Sequence, residues 1–419
     1  MAKSLRVFID LNWNNYSPHP YYRVFSLYSR FKTDVNMAGL YIHIPYCARK
    51  CSYCAFYSIV SPRPDFAALT EALLTELRLR RGNMRHPVYT IYIGGGTPSL
   101  MDCYSFRMLA EGIFEAVGID RLSWNGEFTL ETNPDDVSVE KADEWKNAGV
   151  NRVSMGVQSF DDAELHAIGR RHDARTAMEA YSILRRRFDN ISLDLIFGLP
   201  DQSRMSWCQS IEKCISLQPE HISAYSLMYE ERSLMTRQLR EGKIRPVDEV
   251  DSEEMYCDLL RLTADAGYEH YEISNFARPG FRAMHNSAYW HGLPYIGIGP
   301  GASGYDGKAM RYTNYPDLSG YIKAMCQYSS KTILESIAEY EYLSPIELEE
   351  EFILTRLRTT EGIEIKMYDA LFGAGACEDF LRRCARSADA GNLIIKDGRV
   401  RLSPEGLLIS DEIMAGLMP

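Results

Sequence analysis

The sequence predicts an α/β protein: a partial (βα)6 TIM-like barrel followed by a C-terminal helical, winged-helix-like domain. From residue 39 to about 275, short apolar runs alternate with amphipathic helical stretches. That alternation implies βαβ units and a parallel sheet with right-handed crossovers. The tail instead reads as helices followed by a hairpin. In addition, successive strands end in polar or glycine-rich residues, which puts a ligand site at the C-terminal edge of the sheet.

The strands are GLYIHI (39–44), VYTIYI (88–93), EFTLE (127–131), NRVSMGV (151–157), SLDLIF (192–197) and ISAYSL (222–227). FAALTEALLTELRLRR (66–81), VEKADEWKNAG (139–149) and the long stretch 161–187 read as helical. Six such units suit an open barrel better than a complete eight-fold one; a doubly wound open sheet competes. In the tail, 345–370 reads as a helix, a Gly-containing turn and a second helix, and 376–389 as helical again. LIIKDGRVRL (393–402) is a hairpin turned at Asp397–Gly398. A closing helix over 403–417 has Ser403 as N-cap and Pro404 at its first position. Winged shapes often bind DNA, but no Lys/Arg stripe accompanies this one, so it reads as a lid or interaction domain. The expected division is therefore a core over 37–275, a connecting region over 276–344 and a tail domain over 345–419. Residues 1–36, rich in Tyr and Asn and without clear periodicity, read as an extension, with Met37 as a natural start. A transit peptide fits less well, since Asp10 and Asp34 are present.

Composition narrows the class. The 419 residues carry 46 Lys and Arg against 57 Asp and Glu, a formal net charge of −11. That balance argues against general nucleic-acid binding, which needs clustered cations to neutralise phosphates. Hydrophobic residues at 46% and charged residues at 25% exclude a disordered chain, a collagen and a coiled-coil rod. No run reaches the roughly 18 apolar residues of a membrane helix, and no secretory signal opens the sequence. A reducing, cytoplasmic compartment is expected, where cysteines bind metal or do chemistry rather than form disulfides. Of ten cysteines, seven are scattered (Cys103, Cys208, Cys214, Cys257, Cys326, Cys377, Cys384) and read mostly as small buried apolar groups.

The other three, Cys47, Cys51 and Cys54, follow the first strand in CxxxCxxC spacing. Three thiolates on one short loop can bind three irons of a four-iron cluster and leave the fourth open. Zinc is the rival, but a structural zinc site wants four ligands, usually as two separated pairs. IYIGGGTPS (91–99) then ends the second strand with three glycines. Such a run is either a tight turn or a nest of amides for an anionic group. Glu131 ends strand three, Gln158 follows strand four, Asp194 lies in strand five, and Tyr225 and Ser226 close strand six, with Arg170 in the helix after Gln158. Singly these are caps or solvent contacts; together, after a three-cysteine loop, they read as a cofactor site.

The cysteine motif, GGGTP, ETNPDD, GVQSF…GRRH and DLIFGLP resemble the radical S-adenosylmethionine (SAM) enzymes, in the branch of oxygen-independent coproporphyrinogen oxidases and HemW-type haem chaperones. The resemblance runs from about Tyr41 to the C-terminus. It implies a 4Fe–4S cluster on Cys47, Cys51 and Cys54, with SAM chelating the open iron. It further implies a SAM pocket lined by Tyr41, Tyr53, Gly95, Gly96, Thr97, Glu131, Gln158, Arg170, Asp194 and Ser226, with Glu131 and the glycines at the methionine end.

Two departures bear on the branch. The oxidases carry a fourth cysteine two residues after the third, and here Phe56 stands there. Residues 285–290 read HNSAYW, similar to the HNxxYW signature of the haem chaperones. An imidazole is a common haem ligand, and Tyr289 and Trp290 offer flat faces to a porphyrin, so His285, Tyr289 and Trp290 are the expected haem residues. His291 is an alternative ligand, while His43, His166, His172 and His221 serve structure or the cofactor pocket. The resemblance implies a chaperone that delivers haem to acceptor haemoproteins, among them membrane-associated respiratory proteins. It also implies cluster-dependent dimerisation and no net porphyrin chemistry. The alternatives are a radical enzyme that decarboxylates porphyrinogen propionates and a zinc-bound interaction protein.

Overall fold

The computed structural model describes residues 38–82, 86–327 and 332–419; the expectation for residues 1–36 lies outside them. Strands β1 (Ala38–Ile44), β2 (Val88–Gly95), β3 (Glu127–Thr132), β4 (Arg152–Gln158), β5 (Ile191–Phe197) and β6 (His221–Ser226) pair in parallel, each with the next. The order never reverses. That unidirectional order is the topology of a barrel wall, whereas a doubly wound sheet changes direction at a switch point.

The sheet continues beyond the six expected strands. Strands β7 (Glu269–Glu272) and β8 (Asn275–Ala277) extend it antiparallel beyond β6. On the other side β9 (Tyr295–Ile298) pairs parallel to β1, followed by antiparallel β10 (Ser303–Tyr305), β11 (Met310–Asn314) and β12 (Ala338–Tyr342). The resulting order is β12-β11-β10-β9-β1-β2-β3-β4-β5-β6-β8-β7, open at both ends. Glycine and proline punctuation in YIGIGPGASG hides the β9 period from a sequence reading.

Packing follows the strand period of two. On β1, Leu40, Ile42 and Ile44 are fully buried and point outward with Leu69, Leu73 and Leu77 of helix α1 (Phe66–Arg81) in one core. Tyr41 and His43 take the opposite, lumen-facing positions. Asp65 caps α1 by accepting from the Ala68 amide. Helices α2 (Cys103–Val117), α3 (Val139–Asn147), α4 (Asp162–Ala167), α5 (Ala174–Arg185) and α6 (Arg204–Ser216) fill the successive crossovers.

The stretch 161–187 is two helices, not one. Gly169 at φ +78° breaks it, and Arg170 sits in the turn between α4 and α5 rather than in a helix. After helix α7 (Met284–Trp290), the tail opens with α8 (Pro345–Leu357), which starts with a Ser344–Glu347 capping box. The Leu393–Lys396 and Arg399–Leu402 hairpin gains a third strand, Ile363–Glu364, completing a wing. The closing helix is broken at Ile409 into Pro404–Leu408 and Ser410–Gly416. Cys214, Cys377 and Cys384 are buried, as small apolar groups are, but Cys257 and Cys326 are exposed. Among the described residues no helix is long and apolar enough to cross a membrane.

Candidate functional site

The cysteine loop leaves β1 at the C-terminal edge of the sheet and is stapled at several points. Tyr46–Cys47 pairs in parallel with Ile59–Val60, closing its base. The Ser52 amide donates to the Ile168 carbonyl at 3.2 Å, and the Met235 amide donates to the Ser52 carbonyl at 2.8 Å. The break at Gly169 thus serves the loop: the turn it creates carries both Ile168 and Arg170 against the cysteines. Arg170 donates to the Cys51 sulfur at 3.6 Å and is anchored on Asn133 Oδ1 and the Gly156 carbonyl. The Thr97 hydroxyl donates to the Cys47 sulfur at 3.4 Å. Burial raises the Cys47 and Cys54 thiols, and the neighbouring thiols raise them further.

The glycines do not form an open anion nest. The Gly95 amide donates to Glu131 Oε2, the Gly96 amide to the Ile44 carbonyl and the Thr97 amide to the Tyr46 carbonyl. Their small size is what matters. A Cβ on Gly96 would lie 2.7 Å from the Tyr46 carbonyl oxygen, and one on Gly94 2.8 Å from the Glu131 carboxyl. Gly95 also needs its φ of +112°. The glycines bring β2 hard against the cysteine loop and let Glu131 lie across them.

Glu131 also accepts from the Tyr92 hydroxyl at 2.7 Å, and burial pushes its carboxyl up to about 7. Asp194, raised by burial too, accepts from Ser154 at 3.0 Å and Ser192 at 3.1 Å. The buried Arg152 guanidinium favours the ionised form of both carboxyls, and its Nε has no hydrogen-bond partner. Sequence reading passed over Arg152, although a charged residue opening an apolar strand was a visible signal. Gln158 ends β4 in a left-handed conformation at a bulge. Tyr53 packs beside Ile168 and Met235, and Ser226 ends β6 exposed. Tyr41 donates its hydroxyl to His43 Nδ1 at 3.0 Å.

The HNSAYW segment forms helix α7 (Met284–Trp290) at the opposite, N-terminal end of the strands. Glu127, at the start of β3, accepts from the Met284 and His285 amides and so caps the helix. His285 is 1% exposed, with Nδ1 on Thr90 Oγ1 and Nε2 on the Tyr289 hydroxyl, both at 2.8 Å. It stacks on Tyr92 at 5.1 Å, and burial pulls it down to about 3. His285, the expected haem ligand, is thus enclosed in this arrangement, with both ring nitrogens engaged by hydrogen bonds. The segment's open members are Tyr289 and Trp290, which line a cavity of about 500 Å³ together with His291.

Residues 41–214 match the Radical SAM superfamily model, and 343–409 match that of the HemN C-terminal domain. A Lactococcus lactis protein described as "Heme chaperone HemW" is 35% identical over 333 residues, 79% of this chain and 84% of that one. The chain belongs to the HemW-type branch of the radical SAM superfamily. A Bacillus subtilis HemW is 33% identical, covering 91% of this chain and 99% of its own. The bovine "Radical S-adenosyl methionine domain-containing protein 1, mitochondrial" is 32% identical over 91% of this chain and 87% of its own. The Escherichia coli coproporphyrinogen III oxidase (HemN) structure superposes with a TM-score of 0.77 over 91% of this chain and 90% of that one; at 19% identity it establishes the fold.

Membership of the radical SAM superfamily implies a 4Fe–4S cluster and SAM, and the residues present fit both. Three thiols share one loop, two of them already receiving hydrogen bonds at sulfur, a recognised lever on cluster potential. Among the described residues no three His, Cys, Asp or Glu side chains converge as a single metal ion requires. Behind the thiols lie the two buried carboxyls of Glu131 and Asp194.

Proposed function

We propose that this chain is a haem chaperone, binding haem on a radical SAM scaffold and transferring it to acceptor haemoproteins. One observation carries the reading: relatives described as haem chaperones align with it across most of both chains. Phe56 supports it, since a ring that is 70% exposed stands where the oxidases carry their fourth cysteine.

In this reading Cys47, Cys51 and Cys54 each hold one iron. SAM lies in the lumen near Tyr41, Gly95, Gly96, Thr97, Glu131, Gln158, Arg170 and Asp194, with Tyr53 and Ser226 at the rim. A bound cluster and SAM supply one-electron chemistry or a ligand-dependent conformational state. The chain's own residues would orient them: Arg170 and Thr97 hydrogen-bond the sulfurs, and Glu131 would take the SAM amino group. Haem rests against Tyr289 and Trp290, and His285 positions Tyr289 through its hydroxyl. The chain acts in the cytoplasm, as a cluster-dependent homodimer, on acceptors that include membrane-associated respiratory proteins.

The test is transfer. Haem-loaded protein is mixed with an apo-haemoprotein and the Soret band followed. Transfer faster than passive haem loss to a neutral scavenger is expected; equal rates would remove the chaperone reading.

A further inference from the structure

Resting on the SAM-binding part of the reading above, we infer that Arg152 is a positioning residue of the SAM site. Its guanidinium, enclosed in the lumen beside Glu131 and Asp194, leaves that pair with one net negative charge, the complement of a ligand with one net positive charge. The strand period places it. Val153, Met155 and Val157 point outward into the core, so Arg152 and Ser154 face the lumen. Ser154 pairs in register with Glu131 of β3 and donates its hydroxyl to Asp194 at 3.0 Å. Arg152 is the next lumen position on β4, about 7 Å along the strand. It is 1% exposed, and its Nε has no hydrogen-bond partner. A buried guanidinium with an open donor is a costly way to fill space; what it contributes is charge.

The groups around the two carboxyls leave this task to Arg152. Tyrosines of β1, β2, β6 and α7 face Glu131 (Tyr41, Tyr92, Tyr225 and Tyr289), and burial keeps their hydroxyls protonated. His221 of β6 and His285 of α7, which face Arg152, are held neutral by burial. Arg170 is turned instead to the Cys51 sulfur, Asn133 and the Gly156 carbonyl. Arg152 is the cation that favours the ionised form of both Glu131 and Asp194. SAM carries a sulfonium, an ammonium and a carboxylate, so the filled lumen is neutral overall. Without Arg152 the two carboxylates repel, Glu131 takes up a proton, and the acceptor for the SAM amino group is lost.

SAM binding is measured by anaerobic equilibrium dialysis on the cluster-reconstituted full chain from pH 6.5 to 8.5, with thermal midpoint as a folding control. Affinities are compared between variants at each pH, which cancels the ligand's own titration. Arg152→Gln should bind about tenfold more weakly than wild type at pH 6.5, and the gap should close by pH 8.5, where Glu131 ionises unaided. Arg152→Lys, which keeps the charge, should follow the wild-type profile; a gap like that of Arg152→Gln would contradict the charge argument. If Arg152→Gln does not fold, Arg152→Gln/Asp194→Asn, which keeps the net lumen charge, decides: a wild-type profile supports the inference, and a rise displaced to higher pH overturns it. A loss equal at every pH, or no loss, makes Arg152 a scaffold residue and overturns the inference while SAM binding stands. If the wild type binds no SAM, the cofactor reading falls as well.

Discussion

Glu131 is the residue on which the site's electrostatics turn. Its carboxyl is held up to about 7 by burial, with Asp194 adding to the effect and Tyr92, Gly95 and Arg152 opposing it. The stability that goes with its protonated form is fully present below the unfolded carboxyl pKa of roughly 4.3 and is lost as pH rises through about 7. The expected size is on the order of 3–4 kcal/mol. Buried neutral histidines, His285 at about 3 and His172 at about 4, act in the opposite sense as pH falls below roughly 6.5. The informative measurement is therefore the difference between wild type and Glu131→Gln in urea midpoints from pH 5 to 8. The cofactor-free wild type should fall relative to the variant across that window, and parallel curves would contradict the account. At the cysteines, Cys51→Ala should abolish iron and sulfide loading yet leave the thermal midpoint within a few degrees, because Cys51 is a ligand and not core; unchanged iron content would contradict the assignment.

The elements show what a sequence reading can and cannot see. The six parallel strands and α1 were legible because their period of two and their buried leucines are local patterns. The break at Gly169 was not: 161–187 keeps a helical composition, and only the loop's demand for the Ile168 carbonyl and Arg170 explains the turn. His285 was legible as a motif member but not as a sealed one, since its partners Thr90 and Glu127 lie on other strands. The same holds for Glu76, hidden in a leucine-rich helix. It accepts from Arg80 at 2.6 Å, Asn314 at 2.8 Å, the Gly299 amide at 2.8 Å and Tyr321 at 2.6 Å. This buried carboxylate locks α1 to the turn after β9 and to β11. Glu76→Ala leaves Arg80 buried without its counter-charge and should destabilise by about 3–5 kcal/mol. A loss under about 1 kcal/mol in a denaturant titration would show that the network holds nothing together.

Across the whole molecule, one sheet presents two working ends. The C-terminal edge of the parallel strands gathers the cysteine loop, the glycines and Glu131; the N-terminal end is closed by α7. The wing-bearing tail packs between them, with α8 lining the cavity and Glu361 reaching His291. In the proposed reading this arrangement sets the cysteine loop and the cavity beside α7 against one another. The most direct measurement is an anaerobic haem titration of cluster-reconstituted protein with SAM, paired with a coproporphyrinogen incubation of the same sample. The account predicts saturable binding near one haem per chain with a shifted Soret band, and no decarboxylated porphyrin. Absence of haem binding together with turnover of coproporphyrinogen would contradict it.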